Sequence, residues 1–264
     1  MAYRKRLQKK LLRKEKTYET EQLMKEKRSE EYEVLEEVFD RSTLMTIYDL
    51  MNKGVIGEIY GVVKAGKEAR IYWGKAPDGK ELAIKIYLTI SSEFKKGKLI
   101  YIEGDPRFKN VKHDTRSLVF AWALKEYKNL ELAAQAGVKV PRPIAVKNNV
   151  LIMQFIGKNG DQAPVLKEMP PKDPEKFYEH LLENIQKLYQ KANLVHGDIS
   201  EYNIMIWQNK PVLFDIAQAV PLEHPMADTF LRRDITNLTR YFRKLGVAVL
   251  TEEEAYRRIT SGNS

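Results

Sequence analysis

Three polar residues late in the chain constrain its fold more than any other feature. Asp198 and Asn203 stand five positions apart in a stretch that follows an amphipathic helix, and Asp215 closes the short apolar run Val212-Leu213-Phe214. Ile204–Trp207 and Val212–Phe214 read as two short strands flanking Asn209-Lys210. An aspartate that ends a buried strand is more often a ligand than a core residue, since carboxylates are almost never fully buried without a partner. Helix, loop, hairpin and then carboxylate is the order the rest of the chain must accommodate.

Upstream, Lys85 sits inside Leu82-Ala83-Ile84-Lys85-Ile86, a strand that is otherwise apolar. A lysine there is costly unless paired; the alternative is an outward-facing strand lysine, which alternation of side chains permits. The strand is the third of three, after Glu58–Val63 and Ala69–Lys75, and it runs from Glu81 to Tyr87. Pro77-Asp78-Gly79 supplies a turn, so the three read as an antiparallel meander. Before them, 42–54 reads as a short helix with Leu44, Ile47, Leu50 and Met51 on one face and Gly54 as its stop. After them, 88–114 is polar and carries Gly97, Gly104 and Pro106, which reads as a long irregular connection.

A helix from Thr115 to Ala136 is closed by Gly137, and two strands, Ile144–Lys147 and Val150–Phe155, turn at Asn148-Asn149. Gly157–Pro171 reads as loop. Asp173-Pro174 opens a helix whose buried stripe is Phe177, Leu181, Ile185 and Leu188. Two or three helices follow Pro225. Strands first and helices later imply an α+β chain with two lobes.

Composition narrows the partners. The chain has 264 residues, no cysteine and a formal net charge of +9. Disulfides, thiolate metal sites and cysteine nucleophiles are excluded, and an intracellular, cytoplasmic setting is expected. The longest apolar run, Leu118–Leu124, is too short to cross a bilayer, so no membrane partner is expected. The basic balance suits nucleic acid, a ribonucleoprotein or anionic lipid, or simply the solvated surface of a heat-adapted protein. The charge is uneven: up to Lys16 there are eight Lys or Arg against one Glu, and 1–38 lacks both Pro and Gly. That segment reads as a charged helical arm, either a plain solvated helix or an RNA contact.

Phosphoryl transfer from ATP calls for a lysine on the phosphates, oxygen ligands for magnesium, a carboxylate to orient or deprotonate the acceptor, and a backbone-rich loop over the triphosphate. Lys85, Asp198, Asn203 and Asp215 occur in that order. His196, Asp198 and Asn203 meet the pattern His-x-Asp-x-x-x-x-Asn, and Asp215-Ile216-Ala217 resembles the metal-binding triplet of eukaryotic-type kinases without its usual Phe-Gly.

A closer resemblance is to the RIO family of atypical serine kinases. Gly66-Lys67-Glu68-Ala69 resembles its phosphate loop, and Trp122 with Lys125–Leu130 resembles its first large helix. Met153-Gln154-Phe155-Ile156-Gly157 resembles its hinge, and Leu194–Met205 its catalytic loop. His224–Ala227, Arg233–Ile235 and Arg240–Phe242 resemble its last helices. The match runs from about 41 to 246 and is most similar to the subfamily with a Ser-Thr-Gly-Lys-Glu-Ala loop, although Lys64-Ala65 stand where that loop has Ser-Thr. Hydroxyl contacts to phosphate are lost there, and Lys64 offers charge instead.

The resemblance implies a reduced two-lobed protein-kinase-like fold: a basic arm 1–40, an N-terminal lobe 41–153 of antiparallel sheet plus helix with a flexible loop 88–114, a mostly helical lobe 154–250, and a tail 251–264. It implies Asp198 as the catalytic aspartate, Asn203 and Asp215 as metal ligands, and Lys85 on the α/β-phosphates. Glu126 is expected to pair with Lys85, with Glu131 as the competitor. His196 is expected to support its loop by packing. ATP would lie against Lys64, Gly66, Lys67, Glu68 and Ala69, with backbone groups of Gln154 and Ile156 on the adenine and Met153, Phe155 and Met205 around it. Mg²⁺, with Mn²⁺ as a substitute, is the implied metal, and Thr89, Ser91 and Ser92 are candidate autophosphorylation sites.

Asp215 lies nine positions before His224-Pro225, which leaves no room for a long activation segment or peptide-binding helices. The resemblance implies a serine/threonine kinase acting in small ribosomal subunit maturation, with precursor rRNA and protein as partners. The alternative is an ATPase switch on such particles. A small-molecule kinase of the aminoglycoside type shares His-Gly-Asp-x-x-x-x-Asn but not the loop at Gly66, and a dead scaffold would not keep all the polar groups.

Overall fold

The computed structural model describes residues 39–89, 93–112 and 114–261. The expected basic arm, and Ser91 and Ser92 among the expected phosphorylation sites, lie outside them. The chain forms two compact units, up to Tyr48 and from Asp49 onward, which divide inside the first described helix, α1 (Arg41–Asn52). Its first turn is capped by Asp40, whose Oδ1 accepts from Thr43 N at 2.7 Å. Its last turn closes at Gly54, which takes φ +68° and donates to Met51 O at 2.9 Å.

The second unit opens with the antiparallel meander: β1 (Glu58–Ala65), β2 (Ala69–Lys75) and β3 (Glu81–Tyr87). With β4 (Pro143–Lys147) and β5 (Val150–Gln154) they form one sheet ordered β1-β2-β3-β5-β4. β3 is central, and Lys85 lies opposite Ile71 on one side and Leu151 on the other. Every β3 residue after Glu81 is buried, which fits its apolar composition and makes Lys85 a buried charge.

The stretch 88–114, expected to be irregular, holds among its described residues a helix, α2 (Glu93–Ile102), and a 3-10 turn, Pro106–Phe108. Its polar composition hid the reason. Tyr101 and Phe108 are buried, with the Tyr101 ring tilted against Phe230 at 5.0 Å and Phe108 6.2 Å from Trp122. Lys98 buries its stem as well, so aromatic rings and one lysine anchor what the sequence presents as a solvated run. Gly97 has nothing within 4 Å of where a Cβ would be and is tolerated inside the helix.

The long helix α3 (Thr115–Gln135) is capped by Asp114, which accepts from Ser117 N, and stops at Gly137 with φ +77°. Its buried face runs through Leu118, Trp122, Glu126, Asn129 and Ala133, three or four residues apart. The helical half follows a small β6–β7 pair (Gly157–Lys158, Asp161–Gln162). In α4 (Pro174–Gln190) the expected cap Asp173 accepts from Lys176 N at 3.0 Å, and Phe177, Leu181, Ile185 and Leu188 are buried.

β8 (Leu194–Val195) leads into the loop at 196–203, and β9 (Ile204–Trp207) and β10 (Lys210–Leu213) form the hairpin behind it. The turn is Gln208-Asn209, one residue earlier than expected. Both residues have positive φ, 51° and 58°, as a type I′ hairpin requires. β11 (Val220–Pro221) pairs back onto β8. The last helices are α5 (Ala227–Lys244) and α6 (Glu252–Thr260). The presumed tail is therefore α6, with a Thr251/Glu254 capping box and a buried Ile259 that docks it. Among the described residues no helix is long and apolar enough to cross a membrane.

Candidate active site

β3 and α3 bring Lys85 and Glu126 together. Lys85 Nζ lies 2.9 Å from Glu126 Oε1 and 2.8 Å from Asp215 Oδ1. Burial works against the ammonium, but Asp215 and Glu126 together hold its pKa well above the usual lysine range. Glu131, the competitor, is on the exposed side of α3 and bonds Lys128 at 2.7 Å. Glu126 has a second partner that sequence did not suggest: the Tyr87 hydroxyl donates to Oε2. Both carboxylate oxygens are thus held, on a side chain only 1% exposed.

Asp215 follows β10 with φ 57° and ψ 48°, the left-handed region that non-glycine residues rarely adopt. The turn that holds it is fixed from α3: Asn129 Nδ2 donates to Ile216 O at 2.8 Å and Ala219 O at 3.1 Å. Lys85 pulls the Asp215 pKa down to about 2 despite desolvation. Its side chain remains 46% exposed, so an oxygen is open to the cavity.

In the loop, Asn203 Nδ2 donates to Asp198 Oδ2 and to Asp198 O, both at 2.9 Å. The Asn203 amide nitrogen is therefore committed, and its oxygen is the atom left to face outward. Burial, reinforced by the Asp215 charge, raises the Asp198 pKa. His196 is buried, with Nε2 3.3 Å from Phe214 O, and burial lowers its pKa to about 4. Its burial suits the packing role expected of it.

The largest feature missed from sequence is Asp234. It is buried on α5, and its two oxygens accept Gly197 N and Ile199 N, each at 2.8 Å. Arg233 donates to Gly197 O from the same turn, and Asn237 donates to Ile199 O at 3.2 Å. Gly197 takes φ +77°, which suits only glycine well, so the loop can bend under Asp234. A signal was present: Asp234 interrupts the buried stripe Phe230, Leu231, Ile235 and Leu238, where a carboxylate needs donors.

Lys64, Gly66, Lys67, Glu68 and Ala69 line a cavity of about 340 Å³ together with Lys85, Tyr87, Glu126, Met153 and Asp215. Gly66 N donates to Ala69 O at 3.0 Å, and a Cβ on Gly66 would approach that oxygen to 3.1 Å. Lys64 lies over the Phe214 ring at 5.7 Å. An adjoining apolar recess is lined by Met153, Gln154, Phe155, Ile156 and Met205 with Ile71 and Ala83. There Gln154 N donates to Arg142 O at 2.8 Å and Ile156 O accepts from Ala163 N at 2.9 Å. Thr89, the one expected phosphorylation site within the described residues, is partly buried just beyond β3.

Among the described residues no cluster of three or more His, Cys, Asp or Glu is arranged to hold a metal on its own. Asn203 and Asp215 nonetheless offer the oxygen donors that a hard cation accepts alongside water and phosphate.

The chain matches the RIO domain model over residues 70–255. It is 42% identical over 223 residues to the RIO-type serine/threonine-protein kinase Rio1 of Haloferax volcanii, spanning 84% of this chain and 76% of that protein. It is 39% identical over 245 residues to the kinase of the same name from Methanocaldococcus jannaschii, spanning 92% and 83%. Its fold matches the crystal structure of the Rio2 kinase-ADP/Mg²⁺-phosphoaspartate complex from Chaetomium thermophilum, with TM-score 0.61 and 21% identity over 82% of this chain and 66% of that one.

Proposed function

The chain belongs to the RIO family of serine/threonine protein kinases, and from that premise we propose that it transfers the γ-phosphate of ATP at the loop carrying Asp198. The observation that carries this reading is the triple contact Glu126–Lys85–Asp215, at 2.9 Å and 2.8 Å, next to an Asp198 that Asn203 holds at 2.9 Å. Lys85 is fixed between two carboxylates and points its charge into the cavity, where it would hold the α/β-phosphates. The apolar recess would take the adenine. The hinge has spent Gln154 N–H and Ile156 C=O internally, so it would offer Gln154 C=O and Ile156 N–H to the base.

In the transfer, a serine or threonine hydroxyl attacks the γ-phosphorus. Its O–P bond forms as the bond from γ-phosphorus to the bridging oxygen breaks, and the hydroxyl proton passes to Asp198. ADP leaves. Burial serves this step, since a raised carboxylate pKa makes Asp198 a better proton acceptor. Asn203 Oδ1 and Asp215 would hold Mg²⁺, or Mn²⁺ in its place, and the metal would supply neutralisation of charge on the phosphates.

The acceptor in this reading is the chain itself, at Thr89, Ser91 or Ser92, and the setting is the cytoplasmic maturation of the small ribosomal subunit. The net charge of +9 and the basic residues before Lys16 suit rRNA as a partner. The phosphate loop would be a variant of the Ser-Thr-Gly-Lys-Glu-Ala type in which lysine replaces hydroxyl contacts. The test is incubation with labelled ATP and Mg²⁺ followed by mapping of the modified residue. Label on none of the residues of the chain, with no ATP turnover, would sink the reading.

A second output has its own support. The related Rio2 complex contains a phosphoaspartate, and this chain has only eight residues between Asp215 and His224 in which to build a peptide platform. Here Asp198 or Asp215 would take the phosphoryl group and release it to water, making the enzyme an ATPase switch on precursor particles. Acid-labile, hydroxylamine-sensitive label together with particle-stimulated hydrolysis would favour the switch, and acid-stable phosphoserine or phosphothreonine would favour the kinase.

A further inference from the structure

We propose that Lys98, carried by α2, binds the terminal phosphate of ATP, and that its ion pair with Glu68 of the phosphate loop is the contact this phosphate displaces. The inference rests on the reading that ATP occupies the cavity at Lys85.

Lys98 lies in the stretch whose composition suggested an irregular loop, yet its side chain is only 8% exposed and lines the same cavity as Gly66, Lys85 and Asp215. Its ammonium is 2.6 Å from Glu68 Oε2 and 5.2 Å from the centre of the Trp122 ring. A buried cation held by one carboxylate and one ring face has weak support for a surface-type pair. Glu68 is 40% exposed and loses little on returning to water.

Four lysines face three carboxylates around the cavity, and the two central carboxylates are taken by Lys85. Lys85 has two partners and is fixed, whereas Lys98 has one and is exchangeable. Position selects the terminal phosphate. Lys98 lines the cavity together with Asp215, the carboxylate that would hold the metal on the phosphates, which sets its ammonium at the transfer end. The loop Lys64-Ala65-Gly66-Lys67-Glu68-Ala69 carries no hydroxyl side chain, so cations and backbone N–H groups must supply the grip on phosphate. A phosphate oxygen competes for an ammonium at least as well as a carboxylate does.

The consequence is selectivity for ATP over ADP, since ADP has no group to draw Lys98 from Glu68. Titration calorimetry of the full chain with MgATP and MgADP tests it in the wild type, Lys98→Met, Lys98→Arg and Glu68→Gln. Lys98→Met should weaken ATP on the order of tenfold and leave ADP within about twofold. Lys98→Arg should restore most of the ATP affinity, which guards against a folding defect in the methionine variant. Glu68→Gln should tighten ATP, because it removes the competitor.

A pair that serves only to hold α2 in place predicts the opposite sign: both Lys98→Met and Glu68→Gln would weaken both nucleotides alike, and that pattern overturns the proposal. So does an unchanged ATP-to-ADP ratio in Lys98→Met when the wild type binds both. No binding of MgATP by the wild type would instead overturn the underlying ATP reading.

Discussion

The two walls of the candidate site, the loop at Asp198 and the cavity edge at Gly66–Glu68, are held by different kinds of bond. On the wall that carries Asp198, a buried carboxylate, Asp234, accepts two backbone N–H groups at 2.8 Å, and Arg233 and Asn237 take the neighbouring carbonyls. On the wall formed by Gly66–Glu68, Gly66 N donates to Ala69 O at 3.0 Å, Leu88 N donates to Glu68 O at 2.9 Å, and one lysine side chain, Lys98, ties the loop to α2. The first set of bonds is directional and dry, so its geometry is over-determined. In the second, the side-chain tie of Glu68 is a charge on a long stem, which exchanges partners more readily than the backbone bonds beside it. In the proposed reading, the fixed wall would be where the proton moves and the adaptable one where the polyanion enters and leaves.

Replacing the chemistry on the fixed wall should have the largest effect. Asp198→Asn is expected to lower phosphoryl transfer by on the order of 10³-fold while MgATP still binds. Asp215→Ala is expected to lose the magnesium-dependent part of nucleotide binding. Calorimetry with and without Mg²⁺, set beside transfer rates, separates the two. Equal loss of binding in both variants would refute the division of labour between them.

The next largest effect comes from removing what fixes the wall. Asp234→Ala leaves two buried N–H groups without acceptors and should destabilise the fold by about 2–5 kcal/mol, with transfer lost in step. The pH dependence is specific. Burial pushes the Asp234 carboxyl up to about 7, against the downward pull of Ile199 N, Gly197 N and Arg233. The folded chain therefore keeps a proton that the unfolded chain has released from about pH 4 upward. That contribution to stability is present below about pH 4 and is lost as pH rises through about 7. In Asp234→Asn the fall in melting temperature over this window should be shallower than in the wild type. Parallel melting curves for the two proteins would show that Asp234 does not titrate there.

Lys85 joins the walls, and Tyr87 tests how firmly. Its hydroxyl holds the second oxygen of Glu126, so Tyr87→Phe frees the carboxylate to rotate but keeps the packing. A hydrogen bond to a charged group is worth about 1.5–3 kcal/mol, and a loss of roughly tenfold in kcat/KM is expected where part of that orients Lys85. A change in KM for ATP without change in kcat would place Tyr87 in nucleotide binding alone.

The sequence exposes the fixed wall and hides most of its supports. The spacing of Asp198, Asn203 and Asp215 marks the loop and hairpin, and a lone lysine in an apolar strand marks Lys85, because chemistry and burial conflict visibly there. Strand and helix limits follow for the same reason: capping at Asp173 and the apolar stripe Phe177, Leu181, Ile185 and Leu188 are local. Asp234 is legible only to someone who asks why a carboxylate interrupts an apolar stripe. Lys98 is not legible at all. Its burial depends on Trp122, which lies far along the chain, and on a helix that a glycine and a run of lysines disguise. Exchangeable contacts are made by residue types common on every surface, so composition cannot single them out.

The smallest expected effect separates two glutamates on one helix. Glu126 and Glu131 are five positions apart, and either side chain matches a search for a partner to the strand lysine. Glu126 faces inward to Lys85 and Tyr87, and Glu131 bonds Lys128 on the exposed face. An exposed pair three residues apart on a helix contributes little, because solvent screens it and both side chains lose freedom. Glu131→Gln should leave kcat/KM within about twofold, whereas Glu126→Gln, which leaves Lys85 with Asp215 alone, should lower it on the order of 10²-fold. Steady-state rates on the two variants decide the matter. Similar losses in both would mean that the α3 surface, rather than the buried pair, controls the position of Lys85, and the contrast between fixed and adaptable walls would lose its hinge residue.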